Sequence, residues 1–97
     1  MTQISFAGHY IPEDIITNQN LADQFKTDFD LEDWILSKTG IIERRKSNLL
    51  PSDQGTIAAL AAMGDRCIDI EFIIVNTFFG DYTLPQTATL IQKKLGL

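Results

Sequence analysis

Trp34 and Lys38 lie four residues apart in the stretch DWILSKTGIIERR, residues 33–45, a spacing that puts both side chains on one face of a helix. An indole offers a flat surface on which a purine stacks, and an ammonium group one turn away attracts phosphate. Thr39 adds a hydroxyl, and Gly40 stops the helix beside them. The combination is that of a nucleotide-binding surface. Half-buried packing for Trp34 and a solvated helix end for Lys38 are the competing readings. Arg44, Arg45 and Lys46 follow as a basic run, and Lys93 and Lys94 form a second pair. Such a patch can hold one phosphorylated ligand, or it can be the solvated face of ordinary elements. For Arg44 and Arg45 a structural or interface role is the expectation, with docking of a partner protein as the alternative. Cys67 has no histidine near it in sequence and is read as a structural thiol, while His9 is read as loop or surface packing. One imidazole and one thiol make no metal motif, and Gly8 and Gly40 make no phosphate-cradling loop.

The elements that must position these residues belong to a chain of 97 residues, room for at most one domain with a modest core. Hydrophobic content of 44% and charged content of 22% are ordinary for a globular protein. The formal charge of −5 argues against broad nucleic-acid binding, which rests on neutralising phosphates. The longest mainly apolar run, Ile70 to Phe79, is too short to span a bilayer. The start MTQISFAGHY lacks a basic region followed by an apolar core, so export is not expected. A single cysteine allows no intrachain disulfide and fits a reducing cytoplasm.

ISFAG alternates Ile4 and Phe6 with small or polar residues and reads as a short strand. Thr17 or Asn18 can cap a short helix carrying Leu21 and Phe25, and Asp30 can cap the next, which Gly40 ends. IIERRKSNLL reads as an extended, partly exposed connection. Ser52 opens a helix with Ile57, Leu60, Ala61 and Gly64 along one face, small enough to pack closely on a sheet. IDIEFIIVNTF is the β-branched run of a strand buried on both faces. A final helix has Pro85 in its first turn, a stripe of Ala88, Ile91 and Leu95, and Gly96 at its exit. Strands alternating with helices imply a parallel sheet with right-handed crossovers. Two convincing strands are too few for independent stability, so the pattern is the opening part of a larger α/β domain.

The segments ISFAGHYIPEDIITN, DWILSKTGIIERR, IDIEFIIVNTF and DYTLPQTATLIQKKLGL occur in the order and near the spacing of the N-terminal region of β-ketoacyl-ACP synthase III. The most specific parts are Thr17, Asn18 and Leu21; the frame from Trp34 to Arg44; and the pattern from Pro85 to Gly96. The resemblance covers essentially the whole chain. It implies an α/β fold, the N-terminal portion of a thiolase-like fold with parallel strands and crossover helices, incomplete as given. Residues 1–97 would be a fragment of the first thiolase-like half-domain, with no second domain.

The resemblance also implies an acyltransferase of fatty-acid initiation. A cysteine takes an acyl group from acyl-CoA, and decarboxylation of malonyl-ACP onto it gives a β-ketoacyl-ACP. That cysteine and its histidine and asparagine partners lie outside these residues, so no catalytic residue is expected here. Trp34 matches the tryptophan that stacks on the adenine of CoA, Lys38 stands where an arginine commonly holds the CoA phosphates, and Thr39 matches the threonine beside them. Leu84 matches the residue that crosses a homodimer interface and closes the partner's acyl pocket. The implied partners are acyl-CoA and acyl carrier protein, with no nucleic acid and no membrane. No metal and no cofactor are implied, CoA entering as substrate, and the location is cytoplasmic. Two departures stand out. A few residues of the family pattern are missing around AAMGDRCID, and DFDLED is more acidic than usual and lacks a threonine. They leave room for a specialised polyketide or long-chain-ketone relative, and a non-catalytic stand-alone domain binding a partner or a CoA-like ligand stays open.

Overall fold

The computed structural model describes residues 1–97, which form two compact units, Ile11–Ser47 and Met1–Tyr10 with Asn48–Leu97. Within Ile11–Ser47 the order is β1 (Asp14–Thr17), α1 (Asn18–Gln24), α2 (Leu31–Thr39) and β2 (Glu43–Lys46). The strands pair antiparallel, from Asp14 opposite Lys46 to Thr17 opposite Glu43. Thr17 is the cap of α1: its Oγ accepts the Asn20 N–H at 3.1 Å, and Asn20 Oδ1 accepts the Thr17 N–H at 2.9 Å. This reciprocal pair satisfies two donors that a helix start leaves orphaned.

Asn18 is the buried polar bolt of this unit. Its Nδ2 donates to the Ile41 carbonyl at 2.7 Å, its N–H to the Ile42 carbonyl at 3.3 Å, and its Oδ1 accepts from Arg44 Nη2 at 2.6 Å. Arg44 Nη1 reaches the Ile16 carbonyl at 3.4 Å, and Arg45 Nη1 donates to the Pro12 carbonyl at 2.9 Å. Arg44 and Arg45 are therefore spent on fixing β2 against β1 and the segment before it, as the structural reading expects.

The second unit is built on α3 (Pro51–Met63) and α4 (Thr87–Leu95), which pack on each other. Ile91 of α4 is 5% exposed, and a Cβ at Gly55 of α3 would stand 2.7 Å from its Cδ1, so the absent side chain admits the isoleucine. Gly8 lies on another side of α3, where a Cβ would stand 2.3 Å from the Ala62 nitrogen and 2.6 Å from the Ala58 oxygen. Arg66 places its guanidinium 4.2 Å from the Phe6 ring centroid.

The sheet differs from the sequence-based expectation. The only paired strands are the antiparallel β1 and β2, and neither ISFAG nor residues 70–78 forms a hydrogen-bonded strand. A strand exists by virtue of a neighbour that takes its backbone bonds, and these two segments have none. Ile73 and Val75 are half-buried, while Phe72 and Ile74 are 84% and 94% exposed, so the segment expected to be buried on both faces is open on one. On α3, Ser52 and Thr56 are buried, Gly55 meets Ile91, and Ala58 and Ala62 meet Gly8; Ile57 and Leu60 are exposed, which corrects the expected face. The turn is set by Gly55 fitting Ile91 and by the polar bonds at Ser52. No helix is long and apolar enough to cross a membrane.

Candidate functional site

The helix carrying Trp34 and Lys38 is bounded by local chemistry at both ends. Asp30 Oδ1 accepts the Asp33 N–H at 3.1 Å, and Glu32 and Asp33 place negative charge at the electropositive start of α2. Gly40 closes it at φ 70°, where a side chain would be strained, and donates its N–H to the Leu36 carbonyl at 2.8 Å.

Trp34 is 49% exposed, and its ring meets that of Phe29 at 6.3 Å between centroids with a 59° tilt. The tilted contact holds the indole in place while half of it stays in solvent. Lys38, one turn further on, is exposed, is the only base on α2, and makes no hydrogen bond or ion pair. Thr39 is differently employed. Its hydroxyl donates to the Ile35 carbonyl at 2.7 Å and accepts the Ile41 N–H at 3.1 Å, so it fixes the helix exit and keeps one lone pair free. The structure thus places an aromatic plate and an uncommitted cation on one helix face, with the third residue turned mainly to the backbone. Leu84 is 75% exposed and belongs to the loop before α4. Cys67 and His9 are both exposed, and no group of three His, Cys, Asp or Glu side chains stands close enough to hold a metal ion.

A second constellation escaped the reading of the sequence. Leu50, the cap residue of α3, has no side chain able to bond the helix start, and Pro51 has no N–H to satisfy. The open Ser52 N–H is met by Asp81 Oδ1 at 2.8 Å, and the Ser52 hydroxyl donates to Asp81 Oδ2. Lys94 Nζ donates to the same hydroxyl at 2.5 Å and to Asp53 Oδ1 at 2.6 Å, the latter a salt bridge. Desolvation raises the Asp81 carboxyl, but the two bonds from Ser52 and the Lys94 charge outweigh it and hold the group below its ordinary value. Ser52 is completely buried. A hydroxyl so covered, with its proton directed to a carboxylate, is a fastening and offers no nucleophile to a substrate. Its partners are 29 and 42 residues away in the chain, so no local motif announces the cluster. The available signal was indirect: a helix opening at Leu50-Pro51 must find an acceptor elsewhere.

No family model matches this sequence. Individual relatives do. The chain is 38% identical over 98 residues to β-ketoacyl-[acyl-carrier-protein] synthase III of Caulobacter vibrioides, covering 96% of this chain and 30% of the relative. It is 40% identical over 95 residues to the same enzyme of Laribacter hongkongensis, covering 93% and 29%. It is 41% identical over 98 residues to that of Clostridium acetobutylicum, covering 97% and 29%. The chain resembles the N-terminal region of β-ketoacyl-ACP synthase III. The resemblance read from the four motif segments is borne out by these synthase III sequences, and it takes in nearly the whole chain. The chain spans less than a third of the length of the synthase III relatives it matches.

Proposed function

We propose that this chain forms the N-terminal part of a thiolase-fold condensing acyltransferase of the synthase III type, acting in fatty-acid initiation, and that α2 lines its CoA entrance. The observation that carries the reading is the open face of α2, where a half-exposed Trp34 and an unpaired Lys38 stand one turn apart. In this reading the adenine stacks on the solvent side of Trp34, whose opposite edge Phe29 supports. The Lys38 ammonium neutralises a CoA phosphate as a point charge, without the two-pronged geometry an arginine would give. Thr39 contributes its remaining lone pair. Leu84 extends from its loop into the acyl pocket of a second subunit in a homodimer, and acyl carrier protein delivers the malonyl group.

The chemistry belongs to groups outside these residues. A cysteine thiolate displaces CoA from the acyl thioester, and loss of CO₂ from malonyl-ACP leaves a carbanion that attacks the enzyme-bound acyl carbon. The new carbon–carbon bond expels the thiolate and gives β-ketoacyl-ACP. The contribution of α2 is to binding and orientation. The test is Trp34→Ala in the complete condensing enzyme. Loss of one stacked base should raise the KM for acyl-CoA by roughly 5- to 100-fold while the melting temperature holds. An unchanged KM removes Trp34 from the entrance.

A further inference from the structure

The loop Gly80–Gln86 is fastened at its base and free at its tip. There Asp81 bonds the N–H and hydroxyl of Ser52 at the start of α3, and through that hydroxyl reaches Lys94 near the end of α4. Beside it, Gly80 lies so close to the start of α4, where the loop ends, that a Cβ would stand 2.5 Å from Thr87 Oγ1. Beyond these fastenings Tyr82 and Leu84 project into solvent. Leu84 has no packing of its own to fix its position, so its placement is transmitted through the backbone from these anchors.

We propose that Asp81 is a positioning residue that, by tying this loop to α3 and α4, sets where Leu84 stands and thereby which acyl chains the pocket accepts. The inference rests on the reading of Leu84 given above. Two features support it. The carboxylate uses both oxygens on one residue, a two-point attachment that fixes direction as well as distance. The residue it grips is completely buried, so the anchor cannot drift with the surface.

The experiment measures kcat/KM for acetyl-CoA and octanoyl-CoA in the complete condensing enzyme and its Asp81→Asn, Asp81→Glu and Leu84→Ala variants. An asparagine retains one acceptor where two donors must be met. The ratio of the two kcat/KM values should shift by up to about tenfold, less than the full worth of a charge-assisted hydrogen bond because the loop relaxes. Asp81→Glu should restore part of the ratio. If Asp81→Asn does not fold, Ser52→Ala, which keeps the backbone N–H bond to Asp81, is measured in its place and should move the ratio in the same direction. A Leu84→Ala shift without a shift in the Asp81 or Ser52 variants overturns the positioning role alone. Equal losses on both substrates also overturn it, since they mark a merely structural residue. No shift in Leu84→Ala overturns the reading of Leu84, and the inference with it.

Discussion

In the Ile11–Ser47 unit the buried polar node is Asn18 with Arg44, which joins a helix start to two strands; in the other unit Ser52 with Asp81 and Lys94 joins two helices to a loop. Both nodes bury a small neutral side chain and keep the charged partners nearer the rim, where their desolvation is cheaper. They differ in what they leave over. The first consumes Arg44, with Arg45 spent nearby, and leaves Lys38 and the solvent side of Trp34 open on α2. The second consumes Lys94 and leaves an apolar loop tip. Charged residues with similar credentials in the sequence thus divide into fastenings and candidate ligand contacts according to which backbone carbonyls and buried acceptors lie within reach.

The sharpest way to break the comparison is to push a methyl group into each close contact of the second unit. Gly8→Ala drives a Cβ into the backbone of α3 at Ala58 and Ala62, which cannot move independently, and should cost about 3 kcal/mol of stability. Gly55→Ala meets only the Ile91 Cδ1 tip, which can rotate away, and should cost about 1 kcal/mol. Denaturant unfolding of the two variants side by side checks the order, and equal losses would mean that segment 1–10 does not hold α3 as described. The nodes themselves come next. Asn18→Ala strips partners from Arg44 and the Ile41 carbonyl and should cost about 2 kcal/mol; Ser52→Ala, which leaves its N–H on Asp81, should cost less.

The smallest effect separates the nodes by pH. The Asp81 carboxyl titrates below its ordinary 3.8 in the folded chain, so its contribution is complete above that value and is lost as the pH falls through the folded one. The stability gap between the wild type and Asp81→Asn should therefore stay constant from neutral pH down to the ordinary carboxylate range and close below it. Unfolding curves at stepped pH measure the gap; one that persists unchanged into strong acid contradicts the assignment.

Four helix ends were legible because their causes are local, whereas Pro85, expected in the first turn of α4, lies before its cap residue Gln86. Thr17 and Asp30 cap, and Gly40 and Gly96 end their helices in the left-handed region, each within a few residues of the backbone it serves. The pair Trp34 and Lys38 was legible for the same reason, a spacing of one turn. β1 was not legible, since DIIT lacks alternation and its partner ERRK is a basic run; only the register of distant residues makes them strands. The segments at 4–8 and 70–78 were misjudged in the opposite sense. Their composition records a preference for strand, but pairing depends on a neighbour that composition cannot supply.

Phe72 and Ile74 have a meaning for how copies of this chain behave in company. Ile70–Asn76 is a run of seven residues with a single charge at Glu71, no proline and no glycine, and its backbone bonds to no adjacent strand. Such a segment is a template for its own kind, able to stack in register with the same segment from other molecules into a dry zipper. Long-range repulsion from a charge of −5 is screened within about 10 Å at ordinary salt, so it does little to hold two such segments apart at contact.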